Sequence, residues 1–160
     1  MTIQDFRIYT RNGYAGDLVD SGPKVSQTGI LNTGKAGFGL AMSRDTSIER
    51  GCSLGTASTT IYAISMREYN HEADTRPAKD GDWYYLEGGS VSLLRQGYLY
   101  ITLTGTTAVT AGDLLNVVAA TGEFTADAAN GSTILACDNV TADLSSPAGE
   151  VIKARIDIIA

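Results

Sequence analysis

Histidine and cysteine are scarce in this chain, and their scarcity removes classes of function. The 160 residues hold one histidine, His71, and two cysteines, Cys52 and Cys137. A zinc centre takes several His or Cys ligands at set spacings, and these three residues do not supply one. A hydrolase triad would need His71 beside a nucleophile. No G-x-S-x-G elbow is present, and Tyr69-Asn70-His71-Glu72-Ala73-Asp74 is a polar stretch, so His71 reads as a solvated loop histidine. The N-terminus, Met1 to Arg7, shows neither a basic leader nor an apolar core, and no secretory signal is expected. Two distant thiols in such a chain read as small buried apolar residues rather than a disulfide. No apolar run approaches the roughly 20 residues that cross a bilayer, so no membrane partner is expected. Clustered cations are missing as well. Twelve Lys and Arg are scattered among eighteen Asp and Glu, for a formal net charge of −6. Phosphate backbones are bound by grouped Lys and Arg, so nucleic acid is not expected either. No stretch keeps a 3.6-residue apolar period over three turns. Only short helical turns, near Ser65 to His71 or Asp138 to Leu144, are allowed.

What the chain does have is period-two alternation and eighteen glycines. The organising stretch runs from Glu87 to Phe124. Ser90-Val91-Ser92-Leu93 alternates, and after Arg95-Gln96-Gly97 the run Tyr98 to Thr104 alternates again. Leu99, Ile101 and Leu103 fall on one face; Tyr98, Tyr100, Thr102 and Thr104 fall on the other. Turns at Ala111-Gly112-Asp113 and Thr121-Gly122-Glu123 bracket Leu114 to Val118, which predicts a meander of antiparallel strands. Further strands are expected at Ile61 to Met66, with Tyr62, Ile64 and Met66 on one side, and at Thr133 to Ala136. Asn139 to Gly149 reads as a polar loop. At the C-terminus Ile152, Ala154, Ile156 and Ile158 alternate with Lys153, Arg155 and Asp157, a strand apolar enough to require pairing within a sheet. Arg67 to Asp82 is a long polar excursion.

Residues 1–36 differ from the rest. Gly and Pro punctuate isolated apolar residues, and Pro23 keeps its surroundings extended. Such a segment, too apolar for a solvated tail, is expected to be an arm that becomes ordered on a neighbouring subunit. Its candidate contact residues are Tyr14, Asp17, Leu18, Val19, Pro23, Val25, Ile30 and Leu31. The expected organisation is therefore an extended arm, 1–36, ahead of a domain at 37–160. The domain is all-β, either a compact antiparallel β-sandwich or a small, jelly-roll-like β-barrel.

The remaining chemistry-bearing patterns are weak. Asp80-Gly81-Asp82 with Glu87 lacks the spacing of an EF-hand and reads as an acidic turn. Gly34-Lys35-Ala36-Gly37-Phe38-Gly39 lacks the order of a phosphate loop and opens onto strand pattern. Asn130-Gly131-Ser132 and Asn139-Val140-Thr141 match the glycosylation triplet without an export signal. Trp83, Tyr84, Tyr85, Tyr98 and Tyr100 fit either a core or subunit contact, or the stacking face of a carbohydrate-binding or host-recognition module. No catalytic residue, cofactor or metal is expected.

Several of these segments, in their order, resemble the structural cement or head decoration proteins of tailed bacteriophages. They are Gly13-Tyr14-Ala15-Gly16, Asp20-Ser21-Gly22-Pro23, Gly37-Phe38-Gly39-Leu40-Ala41 and the strand Ile61 to Met66. The run Gly88 to Tyr98, Val109-Thr110-Ala111-Gly112-Asp113, Thr121-Gly122-Glu123-Phe124 and the C-terminal strand complete the likeness. The excursion Arg67 to Asp82 departs from the pattern. The resemblance implies a non-catalytic virion protein that binds the outside of an assembled capsid and ties major capsid subunits together. It would be assembled in the host cytoplasm. A homo-oligomer is expected, a trimer ahead of a dimer.

Overall fold

The computed structural model describes residues 13–19, 22–32, 34–57, 61–67 and 84–158, and among them every regular element is a strand. The strands are β1 (Val25–Leu31), β2 (Lys35–Ala36), β3 (Ala41–Asp45), β4 (Gly51–Leu54), β5 (Ala63–Ser65) and β6 (Tyr85–Leu86). They continue with β7 (Ser90–Thr104), β8 (Leu114–Val118), β9 (Phe124–Thr125), β10 (Ile134–Ala142) and β11 (Val151–Asp157). His71, Trp83, the Asp80–Asp82 turn and most of the polar excursion lie outside the described residues, as do residues 1–12.

β7 is the axis of the molecule. One of its edges carries β1 along residues 90–96 and β9 at Leu103 and Thr104. The other edge carries β5 at Leu93 and Leu94, then β11 along residues 96–102. Two rings close through this shared strand. The first runs β7–β1–β4–β3–β5 and back. The second, a small closed barrel, runs β7–β11–β10–β8–β9 and back. Closure leaves few bare edges, which is how an all-β protein avoids pairing with stray chains. β2 and β6 form a separate two-stranded sheet.

The alternation read in the sequence explains both cores. Leu99, Ile101 and Leu103 are fully buried in the barrel with Leu115, Val117, Phe124, Ile152, Ala154 and Ile156. The first ring encloses Leu31, Met42, Cys52, Ala63, Val91 and Leu93. Each such Leu or Ile contributes roughly 1.5–3 kcal/mol relative to exposure, and the two layers interlock because β7 feeds both.

Four expectations need correction. The stretch 90–104 is one strand, not two separated by Arg95-Gln96-Gly97. Gly97 takes φ of 135°, open to a residue without Cβ, and Arg95 is the extra residue where the β1–β7 register shifts. The meander over Glu87 to Phe124 is replaced by a different pairing. β7 does not pair with β8; β9 lies parallel on β7, and β11 occupies the opposite edge. Asp138 to Ala142 is strand rather than loop or helix, since β10 pairs with β11 there while its polar side chains face outward. Finally, in the strand expected at Ile61 to Met66, Tyr62 does not share a side with Ile64 and Met66: it packs against the core of the first ring, whereas those two join the other core cluster. Ala63, Ile64 and Ser65 are all buried because β5 is enclosed on both sides, and the Ser65 hydroxyl is satisfied by donating to the Gly37 carbonyl at 2.9 Å.

Candidate functional site

The leading segment is built onto β7 as a further length of strand. Between the positions of β1 and β9 the edge of β7 is bare at Tyr98 to Tyr100, and residues 16–19 fill that gap. Gly16 N–H donates to Tyr100 O at 2.7 Å, Tyr100 N–H to Asp17 O at 3.0 Å, and Val19 N–H to Tyr98 O at 3.0 Å. Across the segment, Arg67 N–H donates to Gly16 O at 2.7 Å. A tight turn sets the entry. Tyr14 N–H donates to the Asp17 carboxylate at 2.9 Å, and Gly16 takes φ of 84°. A Cβ on Gly16 would lie 2.5 Å from Phe38 Cβ, so the close approach itself requires glycine.

The predicted contact residues thus separate by surface. Leu31 is fully buried in the first ring, and Leu18 packs against the barrel core opposite Leu99. Val19 and Asp17 are half-buried. Tyr14 is 71% exposed, Val25 42% and Ile30 37%, and Pro23 is exposed as well. Residues 25–31, grouped with the arm in the sequence reading, form β1. Val25 to Gly29 are paired only to β7, so among the described residues their outer edge has no partner strand.

Arg67 was not singled out from the sequence, yet its guanidinium carbon lies 5.0 Å from the Tyr14 ring centroid and 5.7 Å from that of Phe38. It holds an exposed aromatic in place, and nothing local in the sequence links the three positions. The tyrosines weighed as a sugar-stacking face do not form an open platform. Tyr98 lies under the Lys153 ammonium at 4.5 Å, and Gly13 is pressed so close to Tyr100 that a Cβ there would be 2.7 Å from Cε2. An open groove of about 710 Å³ is lined by Lys35, Leu40, Leu54, Tyr84, Thr102 and Glu123. Among the described residues no group of three or more His, Cys, Asp or Glu converges to hold a metal. Burial raises both thiols, Cys52 to about 11, so neither is a thiolate near neutral pH.

Two carboxylates serve as turn anchors. Asp45 is held well below the ordinary range by the Ser47 hydroxyl and amide, then by Asn32 Nδ2 at 2.6 Å, with Ser53 Oγ adding a bond at 3.0 Å. Asp127 is lowered by the Thr107 hydroxyl and the Thr106 amide. A folded-state pKa below the unfolded value means stability present above about pH 4 and lost as pH falls through the lowered values. Urea midpoints measured across acid pH should therefore decline below about pH 4. Asp45→Asn should flatten part of that decline; an unchanged slope would show that the anchor does not couple to folding.

The family model "Structural cement protein (E217 gp24/Pam3 gp6)" matches residues 2–157. A chain of the solved structure "The capsid of Myoviridae Phage XM1" has a similar fold, with a TM-score of 0.66 at 14% identity over 91% of each chain. No curated protein matches the sequence. With the family model spanning nearly the whole chain, the protein belongs to the structural cement family of phage virion proteins.

Proposed function

We propose that the protein sits on the outer surface of an assembled phage capsid and ties neighbouring major capsid subunits together. It acts as a homo-oligomer, a trimer ahead of a dimer, assembled in the host cytoplasm, without catalysis, nucleic acid or membrane. The observation that carries this reading is the family match over residues 2–157 on a body closed into rings. A cement must be stiff, and closed rings resist local opening. Repeated contacts over a shell give avidity above that of one contact, and binding only the assembled state stabilises it by mass action.

The arm, residues 1–36, supplies the contacts in this proposal. Its inner parts, 16–19 and 25–31, seat it on its own body, while Tyr14, Pro23, Val25 and Ile30 face the partner. The outer edge of β1 at Val25 to Gly29 suits strand addition, with backbone bonds giving affinity and alternate side chains specificity.

Removing residues 2–12 tests the arm and keeps every strand of the two rings in the chain. Deleting through residue 30 would instead take away most of β1 and the Leu18 contact, and would test folding. Light scattering of the truncated chain with and without capsids should show an intact body whose capsid binding is at least about tenfold weaker. Undiminished binding would remove those leading residues from the contact.

A further inference from the structure

We infer that Arg44, Tyr62 and Arg95 form a recognition site for a carboxylate carried by a capsid subunit, an inference that rests on the docking reading above. Arg44, exposed on β3, donates from Nη1 to the Tyr62 hydroxyl at 3.3 Å, and its guanidinium carbon is 5.5 Å from the ring centroid. Arg95, at the register shift of β7, places its own guanidinium carbon 5.4 Å from the same centroid. Its Nη2 donates to the Ile158 carbonyl at 3.1 Å, which fixes the side chain against the end of β11. Two cations therefore share one aromatic ring.

Neither arginine meets a carboxylate among the described residues. This sets them apart from Lys153, which sits 2.9 Å from Asp143, and Arg155, 3.7 Å from Asp157. Asp45, next to Arg44 in the chain, accepts its bonds from Ser47, Asn32 and Ser53. A ring quadrupole offsets part of the repulsion between two guanidinium groups, and a bound anion offsets more of it. The donor set is also right for a carboxylate. The Tyr62 hydroxyl accepts from Arg44, and among the described residues its own hydrogen has no acceptor. Arg44 has further N–H groups. One carboxylate can take both donors at once, with Arg95 adding charge from the same ring.

The docking reading gives the source. On a chain of net charge −6 this patch is a local positive exception, so it complements a carboxylate on the capsid subunits to which the protein docks. Such a contact gives register more than raw affinity. Arg and Tyr are also, with Trp, among the residues enriched at the anchors of protein interfaces.

The test uses the full chain and capsids from which it has been removed, titrated at low and moderate salt. Arg44→Gln should weaken binding by about tenfold and reduce its salt dependence. Tyr62→Phe keeps the ring and its packing, loses only the hydroxyl, and should weaken binding by about three- to fivefold. Both variants should retain the parent's circular dichroism and oligomeric state. If the parent binds and both variants match it within about twofold, the inference is overturned and the docking reading stands. If the variants change the oligomeric state without capsids, the carboxylate belongs to a second copy and the capsid assignment is overturned. If the parent itself does not bind, the docking reading falls and this inference falls with it.

Discussion

Phe124→Ala should lower the stability of the protein by about 3–5 kcal/mol, among the largest losses available to a single truncation here. The size follows from where the ring sits. Phe124 is fully buried and belongs to β9, a strand of only two residues. It is paired to Leu103 of β7 on one side and Val117 of β8 on the other. That short strand is the seam through which the barrel closes, and its backbone contributes few bonds. The side chain therefore carries the seam. Truncation removes apolar contact with the barrel core and leaves a cavity at the point where relaxation would part β7 from β8. The urea midpoint should fall with little change in slope, because the surface exposed on unfolding is nearly the same. A loss below about 1 kcal/mol would mean that the seam collapses around the gap, or that closure does not depend on β9.

How much of this was readable in the chain depends on the range of the interactions concerned. The buried faces of β7 and β11 follow from period two alone, since Leu99, Ile101 and Leu103, and Ile152, Ala154 and Ile156, needed only their own neighbours to be assigned. A small barrel was one of the two expected forms, but the strand pairs that close it did not follow. The β1–β4 and β7–β9 pairings are parallel, and parallel neighbours have no hairpin turn to announce them. The continuity of β7 was hidden for a related reason. Arg95-Gln96-Gly97 looks like punctuation, but β1 and β11 grip Gln96 from opposite edges and hold the strand through the irregularity. The same holds for the surface. Tyr14 was legible as a candidate contact residue in a segment with little periodicity, whereas Arg67 beside it, and the pairing of Arg44 with Arg95 on Tyr62, arise from contacts between distant segments.

Gly122→Ala should be nearly as damaging, and a matched control can show why. Gly122 has φ of 71° and Gly131 has φ of 75°, so an alanine at either site bears the same left-handed backbone cost of about 1–2 kcal/mol. Their surroundings differ completely. Nothing lies within 4 Å of a Cβ built on Gly131, whereas one on Gly122 would be 2.5 Å from the Ala41 carbonyl oxygen and 3.1 Å from the Ala41 nitrogen. Those backbone atoms cannot swing aside as a flexible side chain would. Ala41 N–H donates to Gly122 O at 2.7 Å, Gly55 N–H donates to Ala41 O at 2.9 Å, and Thr56 N–H donates to Ala119 O at 2.9 Å. Together these bonds join the turn after β8 to the first ring at β3 and β4. Making room for one methyl group would stretch that set, at about 1 kcal/mol or more for each bond left unmade. Gly122→Ala should therefore lose about 3 kcal/mol or more, and Gly131→Ala only the backbone share. Equal losses in parallel urea titrations would show that conformation alone sets the cost and that the two rings are not coupled through this turn. An excess at Gly122 would place the stiffness of the cement in the bonds between its rings as well as within them.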